Sequence, residues 1–336
     1  MTITIGNKKI GEIYPPFIIA EMSGNHNQSL ERALEIVEEA AKAGVHAIKL
    51  QTYTADTLTI DVEDGEFYID DPNSLWGGQS LYKLYQQAYT PWEWHEPIFK
   101  RCKELRLIAF STPFDETAVD FLEELNTPAY KIASFENNHL PLIRKAASTG
   151  KPLIISTGMA TLAELDDAVK TARDAGCKEL ILLKCTSTYP ATPGDTNLLT
   201  IPHLKELFGT EVGLSDHTLG IGVAVACVAL GATVIEKHFT LLRADGGIDS
   251  AFSMEPEEMK MLVEETHKAW KALGKVFYGH TEKEKSSIKF RRSIYVVQDI
   301  NKGGKGLPPK YYDILIGKKA SCDIKKGTPI SLDFIG

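Results

Sequence analysis

Eight apolar runs of strand length, separated by segments with helical spacing, constrain this chain more than any other feature. They are Phe17–Ala20, Ala47–Leu50, Leu107–Phe110, Ala129–Ala133, Pro152–Ile155, Leu180–Leu183, Glu211–Leu214 and Thr233–Ile235. Strand–helix alternation implies right-handed βαβ units and a parallel sheet, and eight such units predict a closed (β/α)₈ TIM barrel. The segments between the runs carry helix signals. Leu30, Ala33, Leu34, Val37, Ala40 and Ala41 keep one face after a cap at Ser29, and Gly44 supplies a stop. Thr161 with Glu164 is a capping-box pattern ahead of Leu165, Ala168 and Val169.

The alternation stops after a helix predicted over 256–273. We therefore divide the chain into a barrel domain (1–273), a polar linker (274–289) and a small β-rich domain (290–336). The last has short β-like runs at Arg292–Val297, Lys319–Ser321 and Thr328–Leu332. Two similar turns, Asp299-Ile300-Asn301-Lys302-Gly303 and Asp323-Ile324-Lys325-Lys326-Gly327, suggest internal quasi-symmetry. So small a unit is near the limit of independent stability and needs a surface to dock on. One long insertion, Ala55 to Thr90, follows strand two and is a candidate lid or substrate wall, because βα loops lie on the active-site face of a barrel.

A formal charge of −8 argues against a nucleic-acid or anionic-membrane surface. The N-terminus lacks a signal-peptide pattern, and the longest apolar run, Ile221 to Ile235, is too short to span a bilayer. Five cysteines without CxxC spacing read as reduced thiols, so a cytoplasmic location is expected.

The chemistry gathers at the ends of the strands. In order they supply Glu21, Ser23, Asn25 and His26; Lys49 and Gln51; Ser111 and Thr112; Lys131, Ser134 and Glu136; Ser156 and Thr157; Thr186, Ser187 and Tyr189; Ser215-Asp216-His217; and Glu236-Lys237-His238. Two histidines from neighbouring strands suit a divalent metal with open positions. Two lysines among hydroxyls suit a small substrate carrying phosphate and carboxylate. Each piece also has a plain structural reading. The Ser-Asp-His tripeptide could be a helix cap, Lys49 and Lys131 could be ion-pair partners, and one of Glu236 and Lys237 could be a barrel-interior ion pair. The lysines, however, sit inside apolar runs, where an unpaired ammonium is costly. The aromatics Tyr82, Tyr85, Tyr89, Trp92 and Trp94 read as packing rather than a sugar platform, and His95, His139 and His203 as structural.

The ordered motifs IIAEMSGNH, AIKLQTY, FSTPFD, YKIASFE, STGM, KCTSTYP, VGLSDHTLG and VIEKHFT resemble the serial signatures of the sialic acid synthases, barrel enzymes with a C-terminal antifreeze-like (SAF) domain. Leu75-Trp76, LYKLYQQAYTPWEWH and the serine at 187 are most similar to the pseudaminic acid branch. The resemblance implies condensation of phosphoenolpyruvate with an N-acetylated 6-deoxy amino sugar, 2,4-diacetamido-2,4,6-trideoxy-altrose, with release of phosphate. It makes His217 and His238 ligands of Mn²⁺, with Mg²⁺ or Co²⁺ as alternatives. A water on the metal would add to carbon 2 of phosphoenolpyruvate while carbon 3 attacks the sugar aldehyde. It assigns Lys49, Thr112, Lys131, Ser134, Ser156, Ser187 and Ser215 to phosphoenolpyruvate, Glu21 and Glu136 to proton transfer or water positioning, and Tyr189 and Asp249 to the sugar. It also implies a domain-swapped homodimer whose small domain caps the partner's site with an arginine from an Arg-Pro-Gly stretch. That stretch is missing here, where Gly303 runs into Gly304-Lys305-Gly306-Leu307-Pro308, and Arg291 and Arg292 are not obvious substitutes. A shortened loop would weaken sugar binding; the intact flanking motifs favour a segment missing from the sequence instead. The alternatives are an N-acetylneuraminate or legionaminate synthase, a Schiff-base aldolase indifferent to chelation, and a non-catalytic carbohydrate-binding barrel.

Overall fold

A computed structural model describes residues 2–72, 74–299 and 309–336. It divides into two compact units, residues 1–274 and 275–336. The first is a closed barrel of eight parallel strands: β1 (Phe17–Glu21), β2 (Ala47–Thr52), β3 (Ile108–Pro113), β4 (Tyr130–Ile132), β5 (Leu153–Ser156), β6 (Leu180–Cys185), β7 (Glu211–Ser215) and β8 (Val234–His238). Each strand pairs with the next in sequence, and β8 closes on β1 with Val234 opposite Phe17 and His238 opposite Glu21.

Strand side chains alternate between two hydrophobic cores. Ile18, Ala20, Ile48, Leu50, Ala109, Ile132, Ile155, Leu182 and Leu214 face outward under the helices. Phe17, Ile19, Ala47, Ile108, Phe110, Ala129, Ile154, Ile181, Leu183 and Val234 fill the interior. A short antiparallel hairpin, Ile3–Ile5 with Lys8–Ile10, adds Ile3, Ile5 and Ile10 to that interior core, so the hairpin plugs the end where the strands begin. Continuing the inward parity up each strand reaches Glu21, Lys49, Thr112, Lys131, Ser156, Cys185, Ser215, Glu236 and His238. The barrel's inward layers are thus mainly apolar at the bottom, where Glu211 at the start of β7 is the exception, and polar at the top.

The helices follow the local signals. Ser29 Oγ accepts from the Arg32 amide to start Leu30–Ala43, which ends at Gly44 with φ +85°. Thr161 and Glu164 bond reciprocally ahead of Leu162–Asp174, and the last helix of the unit is Pro256–Leu273. The insertion after β2 holds a four-residue helix, Ala55–Leu58, a two-residue hairpin (Tyr68–Ile69 with Gln79–Ser80), and the helix Leu81–Ala88 capped by Ser80 Oγ. Four cysteines are buried and Cys322 is exposed, all five as free thiols. No helix among the described residues is long and apolar enough to cross a membrane.

In the second unit the expected strands do not form ladders among the described residues. Single bridges join Tyr295 to Pro329 and Ala320 to Ile335, and the Ile330 amide donates to the Ile294 carbonyl at 2.9 Å. The polar stretch predicted as a linker contains a 3₁₀ helix, Lys283–Phe290, and belongs to this unit. Among the described residues its core consists of Val296, Ala320 and Ile324, with Ile330 and Phe334 against it, which goes with the sparse pairing. Of the first of the two similar turns only Asp299 is described, accepting from the Lys326 amide at 2.7 Å. The rest of it and the shortened 303–306 passage fall on residues 300–308, which lie outside the described residues.

Candidate active site

The polar top layer is a connected network. Lys49 Nζ, buried inside the barrel, lies 2.6 Å from Glu21 Oε2, 3.1 Å from Glu236 Oε1 and 3.3 Å from Thr112 Oγ1. Lys131 Nζ donates to Ser156 Oγ at 2.6 Å and lies 3.8 Å from the same Glu236 oxygen, which also accepts from Ser215 Oγ at 3.2 Å. One carboxylate therefore faces both ammonium groups. Burial opposes its charge, but Lys131 and Lys49 outweigh that and hold Glu236 below the usual carboxylate range. Glu21 goes the other way: burial, helped by the charge of Glu236, pushes it up to about 7 against the pull of Lys49. Burial likewise lifts Glu136 to about 7 and lowers Lys131 to about 8. Glu136 Oε2 is buried with no hydrogen-bond partner among the described residues.

Beside this cluster lies a hydroxyl cradle. Ser134 Oγ accepts from the Gly158 amide at 3.1 Å, and Asn137 Nδ2 donates to the Gly158 carbonyl at 3.0 Å. A Cβ at Gly158 would overlap Ser187 Oγ and come within 2.6 Å of Ser134 Oγ, so the backbone passes between the two serines only because it carries no side chain. Ser187 Oγ is 3.9 Å from Cys185 Sγ, which is also 3.9 Å from His217 Nδ1. Burial disfavours the thiolate of Cys185, but the His217 hydrogen bond outweighs it and brings the thiol to about 7.

The histidines complete the rim, with ring centroids 5.3 Å apart. The carbonyl of Thr186 can only accept, so the 2.9 Å contact makes His217 Nδ1 a donor. Burial opposes the ring's charge, but Cys185 outweighs it and holds the imidazole above its usual range, so Nε2 offers a lone pair in the neutral form. His238 Nδ1 meets Ser23 Oγ at 3.2 Å, and Ser23 in turn hydrogen-bonds Asp249, whose carboxylate is 3.9 Å from the same ring nitrogen. Burial holds His238 well below the usual imidazole range, which keeps it neutral. Oriented imidazoles with free Nε2 atoms and hydrogen-bonded Nδ1 atoms are how metal ligands are held. No group of three or more His, Cys, Asp or Glu with metal-binding spacing occurs among the described residues. The donor set fits an ion taken by two imidazoles, with its other positions left to water or substrate. Tyr189 covers His217 at 4.4 Å between ring centroids, and Phe252 lies 4.9 Å from His238.

The structure brings Glu21, Lys49, Thr112, Lys131, Ser134, Glu136, Ser156, Ser187, Tyr189, Ser215, His217, His238 and Asp249 to the strand ends, while Ser111 bonds Thr52 on the helix side. Asn25 and His26 serve the scaffold instead: Asn25 Nδ2 ties to the Phe239 carbonyl and to Ser253 Oγ, and His26 Nδ1 accepts from the Gln28 amide. Glu236 and Cys185 were not singled out as site residues, although two-residue parity from His238 and from Leu183 points both inward. On the opposite face of β8, Lys237 Nζ pairs with Asp216 Oδ2 at 2.8 Å, both buried, so each histidine's chain neighbour is locked to the other's. Lys237→Met is expected to lower the unfolding free energy by ~3–5 kcal/mol, because Asp216 stays buried without a counter-charge. Urea melts check this, and a loss below ~1 kcal/mol would show that the pair is not buried in solution.

Fold and mouth together define an eight-stranded parallel barrel whose strand ends gather two buried lysines, their carboxylate partners and a pair of histidines. The family model described as "NeuB family" matches residues 36–278. The pseudaminic acid synthase of Campylobacter jejuni is 45% identical over 93% of this chain and 94% of its own length; that of Helicobacter pylori is 42% identical over 96% and 98%. Among solved structures, the N-acetylneuraminic acid synthetase of Leptospira borgpetersenii superposes with a TM-score of 0.77 at 34% identity, covering 87% of this chain and 96% of that one. The chain belongs to the NeuB family, the sialic acid synthases.

Proposed function

We propose that this chain is a pseudaminic acid synthase, joining phosphoenolpyruvate, 2,4-diacetamido-2,4,6-trideoxy-altrose and water to give pseudaminate and phosphate. The near-full-length match to two synthases of that name carries the reading, and the mouth supplies groups suited to it. Lys49 and Lys131 offer charge-assisted donors to the phosphate and carboxylate, with Thr112, Ser134, Ser156, Ser187 and Ser215 as hydroxyl partners. Glu236 holds the two ammonium groups in place in the free site and yields part of their hydrogen bonding to the incoming anion. Glu21 and Glu136, lifted to about 7, exchange a proton at their carboxyl oxygens without a large free-energy gap near neutral pH. Tyr189 and Asp249 face the acceptor. His217 and His238 would hold Mn²⁺, or Mg²⁺ or Co²⁺, which when bound supplies Lewis-acid polarisation of the acceptor's carbonyl.

The C-terminal unit we assign as an antifreeze-like (SAF) capping domain acting on the partner's site in a domain-swapped homodimer. Its small core supports this, since so few buried residues leave it needing a second surface. Phosphoenolpyruvate places the enzyme in the cytoplasm. A second reading keeps the reaction but takes N-acetylmannosamine or a legionaminic precursor; the fold match to a neuraminate synthetase favours it. Phosphate release from phosphoenolpyruvate with Mn²⁺, comparing the 6-deoxy sugar with N-acetylmannosamine, each with and without EDTA, separates the two. Release with the 6-deoxy sugar alone, abolished by EDTA, is expected. Release with N-acetylmannosamine would move the assignment to neuraminate synthesis, and release with neither would reject both acceptors.

A further inference from the structure

The insertion after β2 delivers one side chain to the mouth that the reaction above does not use. Trp76 packs on Tyr189, ring centroids 5.5 Å apart, on the outer side of the ring that covers His217. Tyr189 also contacts Phe252 at 5.2 Å, and Phe252 reaches His238. An aromatic wall thus starts at the two histidines and runs outward through Tyr189 to Trp76. The tryptophan is held from both ends. Its indole N–H donates to the Ile248 carbonyl at 2.8 Å, and its amide donates to Ser74 Oγ at 3.2 Å. With that indole N–H taken, neither the Trp76 ring nor Phe252 offers a hydrogen bond to anything placed against it.

We propose that Trp76 is a specificity-determining residue for the sugar acceptor, forming with Tyr189 and Phe252 the apolar wall that receives the 6-methyl end and disfavours a 6-hydroxyl. The inference rests on the synthase reading, which puts the reacting carbonyl at the histidines and so points the far end of an open-chain acceptor along the wall. A methyl group there trades water for an aromatic face at a gain. A hydroxyl laid on the Trp76 and Phe252 faces would lose its water partners and find none there, the Tyr189 phenol being the one polar group of the wall. Discrimination of this kind, apolar surface against an added hydroxyl, is bounded near 100-fold. Tyr82, Tyr85, Trp92 and Trp94, by contrast, are engaged elsewhere: Tyr82 on Asp56, Tyr85 on Tyr53, Trp92 on Phe121 and Trp94 on His26.

The test compares kcat/KM for phosphate release with the 6-deoxy diacetamido sugar and with its 6-hydroxy counterpart, in the unmodified protein, W76A and W76F. The unmodified protein should prefer the 6-deoxy sugar by roughly 10- to 100-fold. W76A should bring the ratio near one while leaving the KM for phosphoenolpyruvate unchanged, which also reports an intact barrel. W76F keeps the ring face and loses only the Ile248 tether, so it should retain most of the preference. A W76A enzyme that discriminates as before overturns the proposal. So does a W76F enzyme as impaired as W76A, since the tether rather than the wall would then matter. If the unmodified protein releases no phosphate with any acceptor, the synthase reading itself fails, and that result is visible before any variant is made.

Discussion

Gly158→Ala is expected to lower kcat/KM for phosphoenolpyruvate by about 100-fold or more, roughly 3 kcal/mol, with little change in melting temperature. The added methyl would sit on Ser187 Oγ and 2.6 Å from Ser134 Oγ, with the Ser134 Cβ at 2.9 Å. Both hydroxyls must then swing out of the cradle or the backbone must shift. Either movement breaks the Gly158 amide bond to Ser134 and tilts a strand end whose Ser156 partners Lys131. The overlap involves two serines at the mouth, the Ser134 Cβ included, rather than the hydrophobic layers, which is why the loss should fall mainly on the anion site. Steady-state kinetics with varied phosphoenolpyruvate at saturating sugar checks it. A KM within twofold of the unmodified enzyme would show that the two serines do not form the anion cradle.

His217→Ala and His238→Ala are each expected to reduce turnover by on the order of 10³-fold, in line with several kcal/mol of electrophilic stabilisation. Each also removes half of the proposed ligand pair, so Mn²⁺ affinity followed by calorimetry or spin resonance should fall together with activity. The two rings are positioned by the Thr186 carbonyl and by Ser23, not by apolar packing below, so circular dichroism and the urea midpoint should stay near those of the parent. Full activity in a double variant treated with EDTA would sink the metal assignment.

The barrel was legible because parallel strands buried on both faces read as uninterrupted apolar runs. The runs were read short at their upper ends, since Glu21, Thr112, Ser156 and Glu236–His238 continue the strands with polar side chains. That same polarity made the site visible. Glu236 was legible only as one half of a possible barrel-interior ion pair, because its partners, like those of Lys237 on the opposite face, come from other strands. Trp76 stood out in the sequence only as part of a family-like motif, because the position of a residue within a long insertion is set by tertiary contacts, here the Ile248 carbonyl and the Tyr189 ring. The C-terminal runs had β propensity, and among the described residues they meet only in single bridges around a small core.

Sequential strand order has a temporal consequence. Phe17 and Val234 lie at opposite ends of the barrel sequence, yet they are direct neighbours at the seam. Six of the eight walls can be built from contacts between successive units as the chain emerges at roughly 5–20 residues per second. The last two must wait for the segment that also carries Glu236 and His238, which pairs with both β7 and β1. A nascent chain halted before that point would have both lysines and no shared carboxylate between them, and one imidazole without its mate. Ring closure and the birth of a competent pocket are therefore a single event, and a partly made molecule has no means of consuming phosphoenolpyruvate unproductively.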